Sequence, residues 1–112
     1  MKIKTLIIVT LLSLGLSMAV QSQVISQAYE VALSDFRAPA TENGGAAFKQ
    51  CRDCERVLVR VTATTRYTIN GEAVRLDDFR RVITEARSRG NVVMTVLHHL
   101  ESDTIESINV SL

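Results

Sequence analysis

Tryptophan is absent from the chain, and Phe36, Phe48, Phe79, Tyr29 and Tyr67 are its only large anchors. With so few aromatic side chains the core must be small, and a short domain buries a lower fraction of its surface than a long one. Some constraint beyond packing is therefore expected. Proline occurs once, at Pro39, so none lies downstream of the cysteines. The glycines form no phosphate-cradling loop and no G-x-S-x-G nucleophile turn. Histidine is confined to the adjacent His98 and His99, and cysteine to Cys51 and Cys54. An excess of charge of either sign is lacking too, with 13 Lys and Arg against 12 Asp and Glu. No internal repeat or low-complexity tract occurs, and 112 residues leave room for one domain.

The first segment present reads as an address. Lys2 and Lys4 form a basic start, Leu6 to Leu16 an apolar run, and Ser17-Met18-Ala19 a small-x-small cleavage site. Residues 1–19 are expected to be a signal peptide, cut after Ala19 or alternatively after Ser22. The apolar run is shorter than the roughly 20 residues a spanning helix needs, so no stable membrane span is expected after cleavage. The rival reading is an uncleaved membrane anchor. Removing residues 1–19 takes away two basic side chains and no acidic ones. The remaining chain is close to neutral, which argues against nucleic acid or an anionic membrane as partner. The expected location is periplasmic or secreted.

The most ordered pattern runs from Val57 to Leu100. Val57, Val59, Val61 and Ala63 share one parity while Arg60, Thr62 and Thr64 share the other, which is the signature of a half-buried strand. Tyr67 and Ile69 resume that phase. Asn70-Gly71 readily supplies the two positive φ values of a type I′ hairpin turn, with Glu72 to Val74 as the return strand. Leu76, Phe79, Ile83 and Ala86 then recur at spacings of three and four, so a helix is expected over about 75–89. Asp77 and Asp78 suit its positive N-terminal end, and Arg87 and Arg89 its C-terminal end. Gly90-Asn91 tolerates the left-handed conformation of a stop. Asp77 precedes Arg81 by four residues and Glu85 precedes Arg89 by four, so the arginine run reads as a solvated, salt-bridged face. Asn91 to Leu100 is apolar on both parities and reads as an interior strand.

The flanks are weaker in pattern. Residues 20–45 read as a loose leader and loop, with an edge strand over Ala28 to Ser34. Residues 46–112 read as the small domain proper, with the cysteine pair at a hairpin turn. In the tail, Ile105, Ile108 and Leu112 fit a helical stripe, whereas Ile108, Val110 and Leu112 alternate as in a strand; β-branched content favours the strand. The expected fold is α+β: a small, mostly antiparallel sheet of short strands and hairpins, with one principal helix on one face.

Cys51-x-x-Cys54 is the motif with chemical content. A thioredoxin-type pair opens a helix, whose N-terminus lowers the thiol pKa; here a strand follows. Haem attachment needs His after the second cysteine, and Glu55 stands there. A structural disulfide is the favoured reading, given an even cysteine count, export and a small core. A redox-active pair and a metal site using Cys51, Cys54, His98 and His99 are the alternatives. Adjacent histidines in a strand point to opposite faces. Met94 near them evokes copper chemistry, but the plain reading is that Met94 is core and the histidines mark a strand emerging into solvent. Ser102 and Asp103 beside them supply the residue types of a hydrolase triad without its strained turn. No catalytic set and no cofactor is expected.

Residues Ile69-Asn70-Gly71-Glu72-Ala73-Val74, Leu76 to Phe79 and Val92 to Leu97 carry a resemblance. Over residues 58–108 the chain resembles the periplasmic domain of ExbD/TolR-type biopolymer transport proteins, with their hairpin, helix and apolar strand. The resemblance implies a transport-complex accessory with a protein partner in the cell envelope. Two departures are notable: residues 5–20 hold none of the acidic side chains that such a membrane helix uses, and Arg75 stands where a helix-capping hydroxyl is expected. Without the acid, proton-driven coupling is not implied. The chain also resembles small exported bacterial proteins. The expectation is an exported, non-enzymatic interaction or envelope-accessory module. Thiol-redox or metal handling is the alternative.

Overall fold

The computed structural model describes residues 25–112; the expected signal peptide and most of the leader lie outside the described residues. The strands are β1 (Ser26–Ala32), β2 (Gly45–Lys49), β3 (Arg56–Arg60), β4 (Arg66–Ile69), β5 (Glu72–Val74), β6 (Val93–His99) and β7 (Thr104–Ser111). One helix, α1 (Leu76–Ala86), separates β5 from β6, and short 3-10 turns occupy Leu33–Asp35 and Arg87–Arg89. The class is α+β, with all seven strands in one mostly antiparallel sheet.

The tail strand β7 is the middle of that sheet. On one side it pairs antiparallel with β6. On the other it runs parallel to β3, at Arg60 and Thr104, and then to β4, from Arg66–Ser107 to Ile69–Val110. Strands β3 and β4 are thus successive parts of one line, broken at 61–65. β1 lies outside β6, β2 outside β3, and β5 outside β4.

The break is held by Thr65. Its hydroxyl accepts the Thr62 N–H at 2.9 Å and donates to the Ile105 carbonyl at 2.6 Å. Val61 and Tyr67 keep the buried parity across it. Ala63, expected on that parity too, is exposed, because the regular strand stops at Arg60 and the turn reorients it. At Asn70-Gly71 both φ values are positive, 53° and 84°, as the hairpin reading requires.

A bulge explains the ambiguous tail. Leu97 pairs with Ser107 but His98 with Ile105, so Glu106 is the extra residue. A bulge shifts side-chain parity, so Ile105 and Ile108, three apart, both reach the core. That spacing imitates a helix. Met94, Val96 and Val110 share the face, and Phe36 and Phe48 complete the packing.

α1 lays Leu76, Phe79, Ile83 and Ala86 on the sheet, with the Phe79 ring 5.3 Å from that of Tyr67. The helix ends at Ala86 rather than near 89; the 3-10 turn follows, and Gly90 and Asn91 supply positive φ. The sheet curls around this core until its edges meet: Tyr29 of β1 and Phe48 of β2 have ring centroids 5.8 Å apart. Its other face is uncovered among the described residues, and carries Leu58 and Val93 among polar neighbours. No described helix is long and apolar enough to cross a membrane.

The arginine run departs from its expected reading. Arg87 donates to the carbonyls of Leu33 and Phe36 at 2.9 and 2.8 Å, so it clasps the chain leaving β1. Arg81 pairs with Asp78 at 2.9 Å rather than with Asp77. No Glu85–Arg89 pair forms among the described residues. The 3-10 geometry after Ala86 removes the i,i+4 spacing that this pair needs. β1 likewise begins at Ser26, inside the expected leader, because β6 is long enough to pair with it as far as His99.

Candidate functional site

Three places gather chemistry-bearing side chains. The first is the hairpin joining β2 to β3, whose tip is Cys51-Arg52-Asp53-Cys54. Register pairs Lys49 with Arg56, and the Cys54 N–H reaches the Cys51 carbonyl at 3.2 Å. That turn brings the Cα atoms to 5.0 Å and the sulfurs to disulfide distance. No other cysteine exists. The pair is followed by β3, so no helix N-terminus is aimed at either sulfur.

The second is the turn between β6 and β7. The two histidines do point apart, but they do not both emerge into solvent. His98 is 7 % exposed, because it continues the inward alternation of Met94 and Val96 along β6, and its ring lies 6.2 Å from that of Tyr29. Its Nε2 meets Asp103 Oδ1 at 2.8 Å, and its Nδ1 is buried without a partner among the described residues. His99 Nδ1 lies 2.9 Å from Ser102 Oγ and also accepts the Ser102 N–H at 3.3 Å. The triad residue types thus meet as two separate pairs, and no imidazole bridges Ser102 and Asp103. Glu106 lies 3.9 Å from His99 Nε2, beyond hydrogen-bond reach, and accepts from Ser26 Oγ at 2.8 Å instead. These contacts lock a turn whose Asp103 has φ of 54°. Met94 is fully buried core. Cys51 and Cys54 sit on a different hairpin from the histidines, and no group of three or more metal-binding side chains occurs among the described residues.

The third went unnoticed in the sequence. A cleft of ≈ 410 Å³ lies between the loop preceding β2, the Thr62–Thr65 break and the start of α1. Tyr67 borders it, 5 % exposed, with its hydroxyl buried and unpartnered among the described residues. Burial, and then the Glu42 carboxylate, push its phenol up to about 12. Its alternation in β4 marked Tyr67 as core; its missing partner depends on loops that local pattern does not place.

No family model, curated protein or solved structure matches the chain.

Proposed function

We propose that this is an exported small domain, periplasmic or secreted, that works by binding rather than by catalysis, as an interaction or envelope-accessory module. The observation that carries the reading is the Cys51–Cys54 pair at disulfide distance on a hairpin tip, with Cys51 exposed and Cys54 half-buried. Such a bond persists in oxidising compartments and is reduced in the cytosol. The basic-then-apolar start of the chain and its small-x-small site point the same way. The split Ser102–His99 and His98–Asp103 pairs support turn locking over acyl transfer. The likeness to ExbD/TolR-type periplasmic domains supports a protein partner in the envelope.

The test is expression of the chain with its natural start in a bacterial host, followed by fractionation and N-terminal sequencing. The expected result is a mature start at Val20, or at Gln23 if the cut follows Ser22, in the periplasmic or secreted fraction. An intact Met1 in the membrane fraction contradicts export by cleavage, and co-purification with a membrane partner then supports the ExbD/TolR-like reading.

A further inference from the structure

A buried hydroxyl without a partner is costly, and Tyr67 carries one beside the ≈ 410 Å³ cleft. Glu42 lines the same cleft, and its charge adds to the rise of the phenol pKa. Arg75, Leu76 and Asp77, where the 11-residue helix α1 begins, form the opposite wall. Arg75 holds the N-cap position and makes no side-chain cap bond, and the first intrahelical bond runs from the Phe79 N–H to the Arg75 carbonyl. The N–H groups of Leu76, Asp77 and Asp78 therefore have no acceptor within the helix. Phenol, helix start and the Arg75 guanidinium can all donate.

That convergence calls for a carboxylate, which accepts several hydrogen bonds at once and suits the positive end of a helix. Glu42 and Asp77 exclude a simple polyanion, since two carboxylates line the cleft beside one guanidinium. They favour a ligand that brings its own cation. Ala63 and Val74 supply a small apolar wall, and the volume lies in the range of small-molecule sites.

We propose that this cleft binds a small α-amino acid as its zwitterion, with the carboxylate on the Tyr67 hydroxyl and the α1 N-terminus, and the ammonium between Glu42 and Asp77. Glu42 is exposed on its loop, so its carboxylate is free to turn to the ammonium. The site is independent of where the protein resides, so its failure leaves the export reading untouched, and the reverse.

The experiment is a ¹H–¹⁵N NMR titration of the oxidised protein with L-alanine, beside acetate, methylamine and inorganic phosphate. L-alanine is expected to shift the amides of Leu76, Asp77 and Asp78, with acetate and methylamine each weaker by about 10-fold, some 1.4 kcal/mol. Tyr67→Phe is expected to weaken alanine binding by about the same factor without lowering Tm. Arg75→Ser places a capping hydroxyl on the same N–H groups, so it is expected to weaken binding while raising Tm. A purely structural role for these residues predicts no such opposition. Arg80→Ala, on the solvent side of α1, is the unaffected control. The proposal is overturned by silence at the α1 N-terminus up to about 10 mM alanine, where even a 1 mM site is mostly filled. Equal binding by Tyr67→Phe, or tighter binding of phosphate than of alanine, also overturns it.

Discussion

Arg87 and Arg89 stand two residues apart in the 3-10 turn after α1, and of the two only Arg87 makes a side-chain hydrogen bond among the described residues. Arg87 closes two hydrogen bonds to backbone carbonyls more than fifty residues away, so Arg87→Ala is expected to cost about 1–2 kcal/mol, mostly as unmet carbonyls. Arg89→Ala is expected to stay within about 0.5 kcal/mol. Urea melts of the two variants make the comparison, and equal losses would contradict it. Tyr67 yields a pH prediction. Its folded-state pKa, about 12, lies above the usual 10, so the folded protein holds its proton more tightly. That stability is complete below pH 10 and is lost as pH rises from about 10 towards 12. In Tyr67→Phe this part of the alkaline slope disappears, and melts between pH 9 and about 12 measure it. In sequence, Arg87 and Arg89 look alike, because the carbonyls that distinguish them belong to a distant loop. His98 differs: it shares the parity of the buried Met94 and Val96, so its inward side follows from alternation, and only its contact with the Tyr29 ring depends on a distant strand.

Among the elements, the start and the buried face of α1 were legible, though it ends at Ala86 rather than near 89. Its stripe of Leu76, Phe79, Ile83 and Ala86 is the face that is buried, since a 3.6-residue period needs no knowledge of the partner. Phe79→Ala is expected to cost about 3–5 kcal/mol and Arg80→Ala within about 0.5 kcal/mol; equal effects would place the stripe on the wrong side. The Asn70-Gly71 turn was legible through its backbone demand. Gly71 has open space around a would-be Cβ but a φ of 84°, so Gly71→Ala is expected to lose about 1–2 kcal/mol from backbone strain alone. Chemical denaturation checks the loss, and a neutral result would mean the turn relaxes to another type. The limits of β1 and the exposed Ala63 were not legible, because strand ends depend on the length of the strand alongside.

At the scale of the molecule, class and neighbours separate. The α+β composition followed from the order of periodic segments, whereas the place of β7 between β6 and the β3–β4 line did not. Parallel pairing of Arg60 with Thr104 and of Tyr67 with Ile108 joins segments forty or more residues apart, and nothing in either segment names the other. The cleft beside Tyr67 depends on that arrangement and was equally hidden. The cysteine pair was legible because both partners sit in one turn. Its loop is short, so the bond is expected to add less than the roughly 3 kcal/mol of a 15-residue loop. The double Cys→Ser variant should fold with a small loss in Tm.

The account of an exported domain pinned by Cys51–Cys54 is tested most directly by alkylating freshly isolated protein before unfolding it and measuring its intact mass, then repeating in a glutathione redox buffer. The predicted result is a chain starting near Val20, free of alkyl adducts, whose bond resists the glutathione pool as structural disulfides do. Two adducts at isolation, or ready reduction by glutathione, would contradict it.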